Sequence, residues 1–287
     1  MKKIKILSLI IILLLPFLLY IYYQKSSNGY LKIHFLSVGQ GDSALITSPS
    51  NKNILVDGGP NNDLIRELGK FLPFFERRID LIILSHPDSD HLFGLIEVLK
   101  RYEIGKILLT GINVNTPEYM EFLRIIEEKN IHIIIAEDDE DFLIDNIFID
   151  IHLPRENIAQ KSFANTNDTS IVFSMHYGEN IILFPGDIEE KMEQELLLEN
   201  PDLETDIIKI SHHGSNTSTQ EEFLEKIKPD FAIISCGLYN QFSHPHPDLI
   251  KRLILQNIRV YRTDYQGNIT FILDKEKIIK IDTEFSY

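Results

Sequence analysis

Apolar positions along this chain follow two rhythms. Leu31 to Val38, Ser43 to Thr47 and Asn53 to Val56 are short β-rich runs. Gly39-Gln-Gly41 and Pro49-Ser-Asn51 separate them, and turn-forming pieces at that spacing predict an antiparallel meander. From Asn61 strand and helix signals alternate: a helix to about Leu72, the run Leu81-Ile-Ile-Leu84, a helix over Leu92 to Tyr102, the run Ile107 to Leu109 and a helix over Pro117 to Lys129. Further strands are expected at Ile131 to Ile135, Ile147 to His152, Thr169 to His176, Ile181 to Phe184, Ile207 to Ile210, Phe231 to Ser235 and Ile269 to Leu273. Helices are expected at Glu189 to Leu198, Thr219 to Ile227 and Pro247 to Gln256. Many strands with interspersed helices fit an α+β architecture of two sheets flanked by helices, a four-layer αββα sandwich.

The start of the chain is patterned differently. Residues 6–23 are apolar except for Ser8 and Pro16, a length that just spans a bilayer needing ~20 apolar residues. Lys2, Lys3 and Lys5 precede this run and Lys25 follows it, which places the N-terminus in the cytoplasm and everything after Gln24 outside. Tyr20-Ile-Tyr-Tyr23 suits a membrane interface and no small-x-small cleavage site follows Leu19, favouring an uncleaved, single-pass transmembrane signal anchor. No cysteine stands just after the run, which excludes a lipoprotein. Gln24-Lys-Ser-Ser-Asn-Gly29 reads as a tether, so residues 1–29 form anchor and tether and residues 30–287 one extracytoplasmic domain.

Composition narrows the class. With 287 residues, 44% hydrophobic and 25% charged, the chain buries a full core and is neither disordered nor fibrous. Lys and Arg total 28 against 43 Asp and Glu, and the net charge of −15 argues against a broad, sequence-blind grip on nucleic-acid backbone. The single cysteine, Cys236, lies in the apolar run from Phe231 and reads as a small buried side chain rather than a nucleophile.

The candidate chemistry sits where apolar strands end. Leu81-Ile-Ile-Leu-Ser-His86-Pro-Asp88-Ser-Asp90-His91 carries a strand straight into imidazoles and carboxylates, which together suit a divalent cation. The competing reading is a charged loop with Asp90 as N-cap of the helix near Leu92. Three further segments place polar residues against strands: Asn167-Asp168-Thr-Ser-Ile-Val-Phe173, Ile181-Ile-Leu-Phe-Pro-Gly-Asp187 and Asp206-Ile-Ile-Lys209-Ile-Ser-His212-His213-Gly-Ser215. His152 and His176 lie within strand patterns that already explain them.

With His34-Phe-Leu-Ser-Val-Gly-Gln-Gly-Asp42-Ser43, Val56-Asp57-Gly-Gly59, Ser235-Cys-Gly237 and His244-Pro245 added, the sequence resembles the metallo-β-lactamase superfamily. Within it, the likeness is to the hydrolase domain of the ComEC DNA-uptake proteins, over nearly all of residues 30–287. That resemblance implies His86 and Asp88 on one metal, Asp90 and His91 on a second, Asp187 as bridging carboxylate and His212 as the last histidine ligand. It implies Asp57 as support behind the ligands, and Asp90, Lys209, His213 and His244 as catalytic residues. Ser215, Asn167 and Asp168 are candidates for supporting or substrate contacts, Ser215 also reading as a turn residue and His244-Pro-His246-Pro247 as an extended loop. Two departures stand out: the usual Asp-His-x-Gly-Gly becomes Asp90-His-Leu-Phe-Gly94, putting bulk beside the loop, and the middle histidine ligand has no match, Asn167 and Asp168 being nearest by position.

The implied cofactor is a pair of divalent cations, Zn2+ or Mn2+, which acidify a shared water so that hydroxide forms near neutral pH. The expected reaction is hydrolysis of a phosphodiester, in DNA or another nucleic acid, with the membrane contacted through residues 6–23 and no protein partner. The alternatives are a hydrolase of a small phosphoester or acyl substrate, and a non-catalytic surface module with a degenerate metal site.

Overall fold

Alternating apolar side chains on most strands face two directions, and the fold covers both. The computed structural model describes residues 12, 14–18, 29–138 and 140–286. The first sheet orders its strands β15-β14-β1-β2-β3-β4-β5-β6. These are β1 (Leu31–Phe35), β2 (Ala44–Thr47), β3 (Asn53–Val56), β4 (Arg78–Ile83), β5 (Glu103–Leu109), β6 (His132–Ile135), β14 (Ile269–Leu273) and β15 (Ile278–Thr283). The second sheet runs β13-β12-β11-β10-β9-β8-β7. It comprises β7 (Phe142–Ile144), β8 (Ile147–Leu153), β9 (Val172–Tyr177), β10 (Asn180–Phe184), β11 (Ile207–Lys209), β12 (Phe231–Ile234) and β13 (Arg259–Arg262). β1, β2 and β3 form the expected antiparallel meander, whereas β3-β4-β5-β6 and β10-β11-β12-β13 pair in parallel.

Three apolar clusters define four layers. Phe35, Ile54, Val56, Phe173, Phe184, Phe231 and Ile233 fill the space between the sheets. Leu55 faces the other way, against helices α1 (Asp63–Phe71), α2 (Ser89–Arg101) and α3 (Pro117–Glu128). Ala232 and Ile234 likewise face α4 (Glu190–Glu199), α5 (Glu221–Ile227) and α6 (Pro247–Leu255). A four-residue helix, α7 (Thr263–Gln266), follows β13. The αββα sandwich is thus the architecture, with alternate residues of one strand serving different layers.

Some boundaries differ from the sequence reading. The helix expected from Leu92 begins at Ser89, so Asp90 and His91 lie in its first turn rather than in a loop, and Asp88 is the N-cap position. β7, β13 and β15 were not anticipated; all three are sheet edges, where short or charge-bearing segments such as Arg259-Val-Tyr-Arg262 carry little apolar pattern. The apolar segment 6–23 lies largely outside the described residues, and among those described no helix is long and apolar enough to cross a membrane.

Candidate metal centre

The chemistry-bearing side chains come from residues just beyond strand ends. Asp57 follows β3 in the left-handed region (φ 55°), and Ser85 and His86 follow β4. Asp187 follows β10, and His212 and His213 follow β11. His212 (φ 49°, ψ 44°) and His213 (φ 54°, ψ 20°) are consecutive left-handed residues, a conformation that costs non-glycine residues energy and is commonest at functional sites. The turn decides which ring enters the site.

Asp187 is where the two sheets meet chemically. Its Oδ2 lies 3.2 Å from His91 Nε2 and 3.3 Å from His213 Nε2. The same His213 nitrogen is 3.1 Å from Asp90 Oδ2. Behind these nitrogens stand carboxylates: Asp57 Oδ2 accepts from His91 Nδ1 at 2.9 Å, and Asp42 Oδ1 lies 3.1 Å from His213 Nδ1. Ser85 fixes Asp57 by donating from its backbone N–H (2.8 Å) and its hydroxyl (2.7 Å). On the far side of His91, with ring centroids 4.1 Å apart, His86 places Nε2 3.9 Å from Asp88 Oδ2.

The electrostatics are those of a cation site. Burial works against charge on the His91 ring, but Asp187 and then Asp57 hold its pKa well above the usual imidazole range. The His213 ring is held up in the same way by Asp187 and Asp42. Burial would raise the Asp187 carboxyl, yet His213 and His91 take it well below the usual carboxylate range.

The residues fit a divalent metal. Asp42, His91, Asp187 and His213 offer ligand atoms within 4.8 Å of one another, the one such group among the described residues. His86 Nε2 and His91 Nε2 are buried without a hydrogen-bond partner, and orphaned imidazole nitrogens beside carboxylates suit coordination. Asp42 belongs behind the group: its carboxylate is committed to Lys209 Nζ and to His213 Nδ1. A ligating imidazole uses the nitrogen opposite to the one its supporting carboxylate holds. That leaves His91, Asp187 and His213 as residues that could hold an ion, with Asp90 beside His213 and with His86 and Asp88 next to His91.

Several placements differ from expectation. His212 does not turn to the centre; its Nδ1 lies 3.5 Å from Glu189 Oε1, and the neighbouring His213 takes its place. Lys209 is buried against Asp42 and 3.9 Å from Asp187, so its ammonium balances charge inside the wall instead of facing substrate. Ser215 spends its hydroxyl in a turn with Thr217 (3.0 Å). His244 stays at the rim, its ring 5.8 Å from that of His212; burial and then His212 lower its pKa to about 4, leaving it neutral at physiological pH. Where the middle histidine ligand has no match, Thr166 donates to Asp88 Oδ1 (2.5 Å), and Ser170 Oγ lies 3.3 Å from His86 Nδ1. Asn167 and Asp168 lie in the 3-10 turn beside them. Phe93 is 36% exposed, so its bulk points outward. Cys236 is buried, and burial pushes its thiol up to about 12.

Asp42, Thr166 and Ser170 were missed as site residues. Asp42 carried a signal, being quoted within Gly39-Gln-Gly-Asp42, but its role depends on Lys209 and His213 from the other sheet.

Comparison with known proteins shows the family and the fold. The profile of the family described as "Metallo-beta-lactamase superfamily" matches residues 36–238. ComE operon protein 3 of Bacillus subtilis (strain 168) is 30% identical over 272 residues, covering 89% of this chain and 34% of that protein. Recombination protein 2 of Haemophilus influenzae is 29% identical over 282 residues, covering 96% and 33% respectively. The chain thus spans about a third of the length of these curated relatives. Among solved structures, the metallo-beta-lactamase fold protein YhfI from Bacillus subtilis superposes with a TM-score of 0.55 at 10% identity, over 85% of this chain and 100% of that one. A long form RNase Z from yeast superposes with a TM-score of 0.54 at 14% identity, over 89% and 43%. At such identities the likeness is one of fold.

Proposed function

The chain belongs to the metallo-beta-lactamase superfamily, and from that premise we propose that it is a metal-dependent phosphodiesterase acting outside the cytoplasm. The observation that carries the reading is the Asp187 carboxylate, faced by His91 and His213 Nε2 with Asp90 beside them and with His86 and Asp88 beyond His91. Asp90, His91, Asp187 and His213 would hold one ion; His86, Asp88 and Asp187 would hold another. When bound, such a pair of Zn2+ or Mn2+ ions acidifies a shared water and stabilises charge on the attacked phosphorus and the leaving oxygen. With no second histidine beside His86, the ion at His86, Asp88 and Asp187 would have two carboxylates to one imidazole, which shifts preference towards Mn2+. Asp57 and Asp42 fix the tautomers and orientations of His91 and His213, and Thr166 holds Asp88. At the rim, His244 would contact the outgoing group.

The domain reading, residues 30–287 behind an anchor at 6–23, belongs to this proposal. In its support, residues 14–18 are helical and Leu14, Leu15, Phe17 and Leu18 are exposed, apolar side chains.

The test compares a chromogenic phosphodiester with a chromogenic carboxylic ester as substrates of the full-length protein loaded with Mn2+ or Zn2+, for wild type and Asp90→Ala. The expected result is turnover of the phosphodiester, reduced at least about a hundredfold in Asp90→Ala, as for loss of a residue that holds the metal. Turnover of the ester alone would transfer the reading to acyl chemistry. No turnover with either metal would leave a binding module.

A further inference from the structure

A cavity of ≈ 610 Å³ opens beside the proposed centre. Leu153, Ile158, Phe163 and Met192 give it apolar walls, and Asn165 and Asp168 form part of its rim. Between those two rim residues, Thr166 donates its hydroxyl to Asp88 Oδ1, so one short loop borders both the cavity and the centre. Lys191 and Glu195, from α4, close the opposite wall.

The lining selects against an anion. Arg155 is the one buried-edge cation, and it is committed: Nη2 donates to the Glu195 carbonyl at 2.8 Å and Nη1 pairs with Glu199 at 2.6 Å. Glu156, Asp168 and Glu195 outnumber Arg155 and Lys191, so a phosphate would meet a net negative wall. An uncharged planar ring suits it better. Phe163 is 41% exposed, an aromatic face open to stacking, while the Asn165 amide oxygen already accepts from the Asn167 backbone N–H at 3.2 Å, so the ring face carries the recognition. The volume lies within the ~300–1,000 Å³ of ordinary small-molecule sites.

We propose that this cavity receives the nucleobase of the nucleotide adjoining the scissile phosphate, stacked on Phe163. The proposal rests on the phosphodiester reading for its meaning, but base binding needs neither metal nor turnover. A net charge of −15 leaves stacking, not phosphate attraction, as the means of holding such a substrate.

The chain contains no tryptophan, so Phe163→Trp introduces a lone indole at the stacking face of the full-length protein. Titrated with adenosine in the presence of chelator, it should be quenched saturably, while ribose gives no response. In calorimetry, wild type should bind adenosine at least about tenfold more tightly than Phe163→Ala. Absence of quenching together with equal affinities in wild type and Phe163→Ala overturns the proposal, as does saturation by N-acetylglucosamine with none by adenosine. Because these measurements use metal-free protein, failure of phosphodiester turnover leaves their outcome readable.

Discussion

The buried Asp42 carboxylate pairs with Lys209 Nζ and with His213 Nδ1, and burial opposes its charge until Lys209 and His213 bring its pKa below the usual range. Removing one partner of such a pair strands the other as an uncompensated buried charge. Lys209→Met should therefore cost about 3–5 kcal/mol, read as a fall in the denaturation midpoint, and the double variant Asp42→Asn/Lys209→Met should recover part of it. A double variant no more stable than Lys209→Met alone would contradict the pairing. Residues of this kind mark the limit of sequence reading. His86, Asp88, Asp90 and His91 were legible because imidazoles and carboxylates directly after an apolar strand have few structural uses. Choosing between His212 and His213 was not possible from residue types, since two left-handed backbone positions decide which ring enters. Lys209 looked like a phosphate ligand because nothing local reveals the distant carboxylate that captures it.

At the scale of elements, α2 carries Asp90 and His91 in its first turn, and its position is set by glycine. A Cβ on Gly94 would stand 2.0 Å from the Gly58 carbonyl oxygen, in the loop that also presents Asp57. The two segments are tied by hydrogen bonds from Gly58 N to the His91 carbonyl (2.5 Å) and from Gly94 N to the Gly59 carbonyl (3.1 Å). Gly94→Ala should push the helix off this loop and cost roughly 1–3 kcal/mol as an overpacking substitution, whereas Phe93→Ala, at an exposed position, should stay within about 0.5 kcal/mol. Equal midpoints in chemical denaturation would contradict the close contact.

α5 has no side-chain cap of its own; Glu193 on α4 accepts from the Thr219 and Gln220 backbone N–H groups instead. Burial pushes the Glu193 carboxyl up from 4.5 to about 7 despite those two donors. The folded state then retains a proton that the unfolded chain has released, so stability falls as pH rises from about 4.5 to about 7 and levels above it. Glu193→Gln should flatten that slope in thermal melts taken across this range; an unchanged slope would assign it elsewhere. Most elements were legible from pattern because their strands are buried on both faces. The edge strands β7, β13 and β15 were not, since one side of an edge needs no apolar code.

Across the whole molecule, both sheets contribute to the centre: Asp57, His86, Asp88, Asp90 and His91 follow strands of the first, Asp187 and His213 strands of the second. The centre therefore exists only when the interlayer core around Phe35, Phe173 and Phe184 is packed. The sandwich was legible from the order of strands and helices, but the cavity beside it was not, because loop and helix residues meet there from distant positions. The central claim is a pair of metals held by His86, Asp88, Asp90, His91, Asp187 and His213, with His212 outside the set. Metal content by mass spectrometry of the full-length protein, in wild type, His213→Ala and His212→Ala, tests it most directly. The account predicts two metals per chain in wild type and in His212→Ala, and at most one in His213→Ala. Two metals retained in His213→Ala, or lost in His212→Ala, would contradict it.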